Sequence, residues 1–127
     1  MGDAMIQFLG YLNASILVIL SLRWPYFIWF KRSKKSKESK LLAKTIRRLH
    51  PILGGVLVMT GILHGYLAWG WNFRRTGYLL YFFVLLQGIL GLGLLKKRKG
   101  LKNPHRWVSL MALVLLGLHV FYRTALG

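Results

Sequence analysis

The chain has 127 residues, 55% of them hydrophobic, and its mean hydropathy of +0.46 is too high for an ordinary soluble domain. It has no cysteine, which excludes disulfides and iron–sulfur ligation. Nineteen Lys and Arg residues against two acidic ones give a net charge of +17, but these charges lie between apolar blocks, which argues against a nucleic-acid partner. We expect a single membrane domain over residues 1–127, set in a lipid bilayer.

The first apolar block is expected to be a retained transmembrane helix. No basic residue precedes it and its first one, Arg23, follows it, which is the reverse of the charge order in a cleavable signal peptide. The aromatic stretch that comes next, RWPYFIWF, is typical of headgroup depth, and Pro25 is expected to bend or end the helix.

Three further apolar blocks follow, separated by two basic segments and one short loop. Residues 31–40, KRSKKSKESK, predict a solvated positive loop, with docking to anionic lipid or to an acidic redox partner as the alternative. Asn103 before Pro104 predicts the start of the last helix. The four predicted spans are residues 5–23, 45–69, 77–95 and 104–123.

Charge counting gives an orientation in the membrane. Residues 31–48 hold nine basic residues and residues 96–106 hold six, whereas the opposite side has Arg74, Arg75 and Arg123. The positive-inside rule therefore predicts cytoplasmic basic loops, both termini outside, and insertion in the plasma membrane. The second and fourth spans then run in the same direction.

The second and fourth spans share a histidine spacing. His50 and His64 are fourteen residues apart, as are His105 and His119, and these are the only histidines in the chain. On a helix this separation is four turns less about 40°, so both rings of a span leave from nearly one face, roughly 21 Å apart along the axis.

A single histidine in a span is most simply a packed, hydrogen-bonded side chain. Four of them, at two depths on two parallel helices, favour haem iron ligated by two histidines, because ionisable residues in a membrane are costly. Zinc or copper transport is the competing interpretation, but such sites usually recruit carboxylates, thiolates or a tighter cluster. The sequence predicts His50 with His105, and His64 with His119, as the axial ligands of two haems.

Small and basic residues near the histidines are candidate haem contacts. A flat macrocycle between helices needs places without side chains, and Gly54, Gly61 and Gly117 are expected to supply them, close helix packing being the alternative use. Arginine binds carboxylates in bidentate geometry, so arginines flanking the histidines are candidate partners of the haem propionates. These are Arg47, Arg48 and Arg106 on the cytoplasmic side and Arg74 and Arg123 on the outer side.

Two histidines fourteen apart on the second helix, and again on the fourth, resemble the di-haem core of cytochrome b and the cytochrome b subunits of membrane oxidoreductases. The resemblance covers the whole chain as architecture, and its specific content is the four histidines and nearby glycines. It implies an all-α membrane protein, a four-transmembrane-helix bundle that encloses two non-covalent haem b groups. The orientation predicted here is inverted relative to cytochrome b of the bc complexes, and that family's quinol-site motif is absent.

Two axial imidazoles leave the iron no open position, which suits electron transfer. We therefore expect a transmembrane electron conduit that works as the cytochrome b subunit of a membrane redox complex, beside redox partner subunits and as a candidate homodimer. One alternative is a quinone-reactive cytochrome that oxidises quinol or reduces quinone; another is a non-redox membrane anchor. The candidate quinone contacts are Gln87, Tyr66, Tyr78, Tyr81 and Asn72.

Overall fold

The computed structural model describes residues 2–33, 36–71 and 76–126, with side chains as far as residue 121. Its elements are α1 (Gly2–Ser21), α2 (Arg23–Arg32), α3 (Lys37–Trp69), α4 (Thr76–Leu95), a 3-10 turn (Lys99–Leu101) and α5 (Lys102–Leu126). Within the described ranges, four stretches are long and apolar enough to cross a membrane: Gly2–Arg32, Lys37–Trp69, Thr76–Leu95 and Lys99–Phe121. By length and composition, the expected all-α chain with four membrane-spanning helices is confirmed.

Helices α1 and α2 are almost one helix, and Pro25 is the reason that they are two. A helical residue donates its N–H to the carbonyl four residues earlier, and Pro25 has no N–H to give to Ser21, where α1 ends. The ladder continues around the break, because Leu22 N–H donates to the Val18 carbonyl at 3.1 Å and Tyr26 N–H to the Leu22 carbonyl at 3.0 Å. The predicted effect of Pro25 is confirmed.

The first basic segment is mostly helix, so the predicted loop over residues 31–40 is wrong in extent. Helices α2 and α3 leave residues 33–36 between them, of which 34 and 35 lie outside the described residues. Ser36 caps α3, because its hydroxyl accepts the backbone N–H of Ser39 at 3.1 Å. Glu38 in the first turn also favours the helix, since a negative charge stabilises a helix N-terminus.

Helix α3 is longer than its predicted span. Its 33 residues measure roughly 50 Å at 1.5 Å per residue, against a hydrocarbon core of about 30 Å, so its basic first turns extend beyond the core. Pro51, directly after His50, lies inside the helix and does not end it. Helix α5 begins two residues earlier than predicted, at Lys102, and Pro104 remains in its first turn.

The four long helices pack as a ring. Helix α1 packs on α3, α3 on α4, α4 on α5, and α5 returns to α1. Helices α3 and α5, which carry the histidines, therefore occupy opposite corners and face each other across the centre of the bundle.

A small apolar core fills the middle of this ring, with members from each long helix: Ile16, Leu17, Leu57, Val84 and Ala112. Leu57 lies seven residues from each histidine of α3, and the fully buried Ala112 lies seven residues from each histidine of α5. The core therefore lies halfway between the two histidine levels. Many other large apolar side chains, such as Phe8 at 64% and Phe82 at 58%, are exposed, as lipid-facing residues of a membrane bundle would be.

Two polar contacts join helices around this core. The Asn13 amide donates to the Thr60 backbone carbonyl at 3.2 Å, and the Thr60 hydroxyl donates to the Asn13 amide oxygen at 2.5 Å, which ties α1 to α3. The hydroxyls of Ser21 and Ser109 lie 3.2 Å apart and tie α1 to α5. Such contacts are typical of membrane bundles, where small polar side chains hydrogen-bond across helices.

Candidate functional site

His50 on α3 and His105 on α5 lie side by side, and we call them the basic-end pair. Their ring centroids are 6.2 Å apart, with ring planes at 70° to each other. Two imidazoles that bind one metal ion from opposite sides, through bonds of about 2.0–2.1 Å, place their centroids roughly 6 to 6.5 Å apart. The basic-end pair therefore has the spacing that axial ligation of one metal ion needs.

His64 and His119, which we call the far-end pair, line a cavity of about 350 Å³. This volume lies in the range of about 300–1,000 Å³ that is usual for small-molecule and cofactor sites. The wall of this far-end cavity is mostly apolar and includes the following residues from all four long helices: Gly10, Asn13, Ala14, Leu57, Gly61, Gly65, Tyr78, Tyr81, Val84 and Leu116.

The structure thus brings the histidines together in the combinations expected from the sequence. The basic-end pair and the far-end pair each take one ring from α3 and one from α5, and the core residues Leu57 and Ala112 separate them. This arrangement arises because α3 and α5 run parallel at opposite corners with equal histidine spacing. The axial-ligand role itself remains a prediction.

The donor set fits a haem better than a bare metal ion. Among the described residues, no group of three or more His, Asp or Glu side chains lies close enough to hold one ion. Protein sites for zinc need three or four such ligands, whereas a haem iron takes four nitrogens from its macrocycle and needs one imidazole on each side. Two imidazoles at one level are the complete protein contribution to such a centre.

One ring nitrogen of the far-end pair contacts a neighbouring helix. The Nδ1 atom of His119 lies 3.3 Å from the Thr76 hydroxyl, at the start of α4. Since a metal-bound histidine usually uses its other nitrogen for a hydrogen bond that fixes the ring, Thr76 is positioned to orient His119.

Glycines on neighbouring helices lie against three of the four histidines. A Cβ built on Gly10 of α1 would lie 3.1 Å from Cε1 of His64, and one on Gly77 of α4 would lie 3.1 Å from Cε1 of His119. The corresponding distance from Gly91 to Cε1 of His105 is 3.5 Å. Close approach of these rings therefore depends on the missing side chains. Neither Gly10 nor Gly77 was among the predicted contacts, although Gly77 and Gly91 repeat the fourteen-residue spacing on α4.

The three glycines that were predicted as haem contacts have different surroundings. Among the described residues, no atom lies within 4 Å of a Cβ built on Gly54 or Gly117. Gly61 is covered, because its Cβ would meet the Tyr81 ring at 3.1 Å. Gly54 and Gly117 therefore adjoin open space that a bound group could occupy. At Gly61 the missing side chain instead leaves room for the Tyr81 ring, which forms part of the wall of the far-end cavity.

The arginines near the basic-end pair lie over aromatic rings of α2. The guanidinium carbon of Arg47 is 5.0 Å from the centroid of the Phe27 ring, and that of Arg106 is 5.1 Å from the centroid of the Trp24 ring. Arg23, which was not among the predicted contacts, lies 5.6 Å from the Phe27 centroid. Arg48 is exposed.

The side chains of the outer arginines lie outside those that the structure describes. Arg74 lies outside the described residues, and Arg123 lies in α5 with a side chain outside those that the structure describes. Their pairing with propionates stays a prediction.

Two of the predicted quinone contacts belong to the far-end cavity. Its wall, as far as the structure describes it, includes Tyr78 and Tyr81 but not Tyr66 or Gln87. The Tyr81 hydroxyl donates to the Val58 carbonyl at 3.2 Å, and the Tyr78 hydroxyl donates to the Gly70 carbonyl. The Gln87 amide oxygen is buried without a hydrogen-bond partner. Asn72 lies outside the described residues.

Comparisons with protein-family models, with curated proteins and with solved structures find no match to this chain. Its function must therefore be argued from the geometry of the two histidine levels.

Proposed function

We propose that this chain is a di-haem b-type membrane cytochrome that carries electrons across the bilayer. The observation that supports this most is the pairing of one histidine from α3 with one from α5, with ring centroids 6.2 Å apart at the basic end. The equal fourteen-residue spacing and the far-end cavity around His64 and His119 extend the same arrangement to a second level.

In this proposal His50 and His105 hold one haem b and His64 and His119 hold the other. Each haem iron would supply one-electron redox chemistry by changing between its ferric and ferrous forms. With one imidazole from α3 and one from α5 as its protein ligands, each haem would suit electron transfer and not oxygen activation. The levels lie roughly 21 Å apart along each helix, so together they form a relay between the two sides of the membrane.

The surrounding residues would orient the ligands and exclude water. Thr76 fixes the His119 ring through its Nδ1 atom, and Gly10 and Gly77 allow the far-end rings to lie close to α1 and α4. The buried layer of Leu57 and Ala112 keeps the space between the levels apolar. Arginines remain the proposed partners of the propionates, at both ends of the bundle.

The remaining assignments are also proposals. The count of basic residues supports cytoplasmic basic segments and external termini in the plasma membrane, with the basic-end pair on the cytoplasmic side. An electron conduit needs a donor and an acceptor, so we propose redox partner subunits, and assembly as a homodimer.

The visible spectrum of the purified protein tests the cytochrome. We expect reduced b-type bands and about two haems per chain, because each level supplies a complete pair of axial ligands. His64→Ala should remove one haem and leave the other. A protein without a chromophore would instead support the anchor function, and four single His→Ala variants with full spectra would refute the ligand assignment.

A quinone-reactive cytochrome is the second candidate, and the tyrosines of the far-end cavity favour it. Tyr78 and Tyr81 share that cavity with the far-end histidines, in a mostly apolar wall of the kind that quinone rings enter. Oxidation of a quinol analogue by the purified chain distinguishes the two, since a conduit alone has no such activity. Tyr81→Phe should lower that activity without changing the haem content.

A further inference from the structure

Three arginines from three helices gather over two aromatic rings of α2. Arg23 and Arg47 share the Phe27 ring, at 5.6 and 5.0 Å from its centroid, and Arg106 lies over Trp24 at 5.1 Å. Arg47 precedes His50 by three residues, and Arg106 directly follows His105. The two histidine-bearing helices thus place guanidinium groups on the same short helix.

Among the residues that the structure describes, no side-chain carboxylate balances the positive charge of this cluster. The two carboxylates of the protein are Asp3 and Glu38. Asp3 is twenty residues before Arg23 and so roughly 30 Å away along the first span, and Glu38 is nine residues before Arg47 and so roughly 13 Å away along α3. Arg23 and Arg47 lie over the same ring, so their like charges repel each other. An external anion would relieve this repulsion.

The geometry leaves the arginines able to bind that anion. A guanidinium that rests its flat face on an aromatic ring keeps its N–H edge available, and that edge matches two oxygens of a phosphate or carboxylate. The rings below also reduce the freedom of the side chains, so less entropy is lost when the anion binds.

The depth of the cluster indicates where the anion comes from. Helix α2 continues the first span beyond Pro25 and packs on α3, and its Trp24 and Trp29 are 40% and 60% exposed. Partly exposed tryptophans at the end of a span are typical of headgroup depth. The phosphate groups of the bilayer lie at this depth.

We propose that Arg23, Arg47 and Arg106, supported by Phe27 and Trp24, form a binding site for the phosphate of an anionic phospholipid. In this proposal the lipid phosphate is the alternative to the haem propionates as the partner of Arg47 and Arg106, and the site does not depend on the electron-transfer function proposed above. It also accounts for the aromatic sequence RWPYF, in which the two supporting rings are spaced to receive arginines from α3 and α5.

The experiment measures lipid retained by the full-length chain. The protein is placed in nanodiscs of mixed phosphatidylglycerol and phosphatidylcholine, extracted in about 0.5 M salt to screen general attraction, and weighed by native mass spectrometry. We expect phosphatidylglycerol to remain bound in preference to phosphatidylcholine. Arg47→Gln and Arg106→Gln should each lower its retention about fivefold, the effect of one basic residue close to an anionic headgroup.

Arg48→Gln is the matched control, because it removes the same charge from the adjacent and equally exposed position, which lies about 100° further around α3. It should leave retention unchanged, and an equal loss in Arg47→Gln and Arg48→Gln would show a general positive field, which overturns the site. Arg47→Lys keeps the charge but not the planar fork, so it should lose part of the retention, less than Arg47→Gln loses, while the fold is preserved. Full retention in Arg47→Lys would also overturn the bidentate site.

Two further arms separate the lipid from other anions. Inorganic phosphate added at equal concentration should not displace the lipid, and displacement would make free phosphate the ligand. Retention is also compared between the native chain and the His50→Ala variant. Equal retention supports a lipid site. Lipid retained only by His50→Ala would mean that the haem propionates occupy the arginines in the native chain. A chain that binds lipid but has no chromophore would refute the cytochrome and leave the lipid site intact.

Discussion

The two histidine pairs occupy equivalent positions on the same two helices, but their surroundings differ. At the basic end the imidazole centroids are 6.2 Å apart, and arginines gather on α2. At the far end the rings face a cavity of about 350 Å³, and Thr76 contacts His119. Equal spacing within a helix sets equal depth and direction, whereas the neighbouring helices decide how much room each pair has.

The two levels should therefore differ in how readily added imidazole replaces a missing histidine. If the chain binds two haems, His64→Gly and His105→Gly should each lose one of them, since each variant keeps one complete pair. Added imidazole should restore the far-end haem of His64→Gly at lower concentration than the basic-end haem of His105→Gly, because the far end already has an open cavity. The haem-to-protein ratio measures both effects. Equal restoration at the two ends would mean that the cavity does not distinguish the levels.

The next largest effect should come from the hydrogen bond to His119. Thr76→Val keeps the shape of the side chain but removes the hydroxyl 3.3 Å from Nδ1, so we expect about tenfold weaker haem binding at the far end and a shifted far-end potential. Haem titration and redox titration measure these changes. Ser109→Ala is the control, because it removes a hydroxyl near the basic end of α5. If both variants shift the same haem, Thr76 does not act through His119.

The sequence predicted the features that depend on one helix at a time. Histidine spacing is local, so the two levels and their pairing could be expected once α3 and α5 were assigned as parallel spans. The contact between Thr76 and His119 could not, because it joins residues 43 positions apart across a loop whose path the sequence does not specify. The charge run of the first basic segment predicted a loop over residues 31–40, but a run of charges does not prevent a solvated helix, and Ser36 caps one at its start.

The glycines that lie against the histidines could be predicted only in part. Gly77 and Gly91 repeat the spacing of His105 and His119, which would have indicated an antiparallel neighbour with gaps at the two ring levels. Membrane helices use small residues for many packing purposes, so the pattern alone could not separate these uses. Gly61 illustrates the difficulty, because in the structure it admits the Tyr81 ring.

Replacing these glycines with alanine should have a smaller effect on haem binding, and one that differs between the two histidine levels. Gly77→Ala would place a methyl group 3.1 Å from His119 Cε1, so the ring must move by a few tenths of an ångström, whereas Gly91→Ala meets His105 at an ordinary 3.5 Å. A side chain forced off its preferred rotamer costs about 0.5–1.5 kcal/mol, which weakens binding about two- to tenfold. We expect this loss for the far-end haem of Gly77→Ala and little change in Gly91→Ala, by haem titration. Equal losses would show that both glycines serve general packing.

The smallest effects should come from the polar contacts that hold α1 beside each level. Asn13 forms hydrogen bonds with Thr60, which lies four residues before His64. Ser21 forms one with Ser109, which lies four residues after His105. Hydrogen bonds between membrane helices contribute about 0.6 kcal/mol each on average, so Asn13→Leu and Ser21→Ala should lower the free energy of unfolding by roughly that amount per lost bond.

The location of the change is more informative than its size. Asn13 lines the far-end cavity, so Asn13→Leu should alter the spectrum of the far-end haem, while Ser21→Ala should alter the basic-end haem. Denaturant titration in detergent measures the free energy of unfolding. Low-temperature spectra of the reduced protein separate the two haems. Because each contact ties α1 to a different histidine-bearing helix, a change at both levels in either variant would mean that α1 moves as one body and that the levels are coupled.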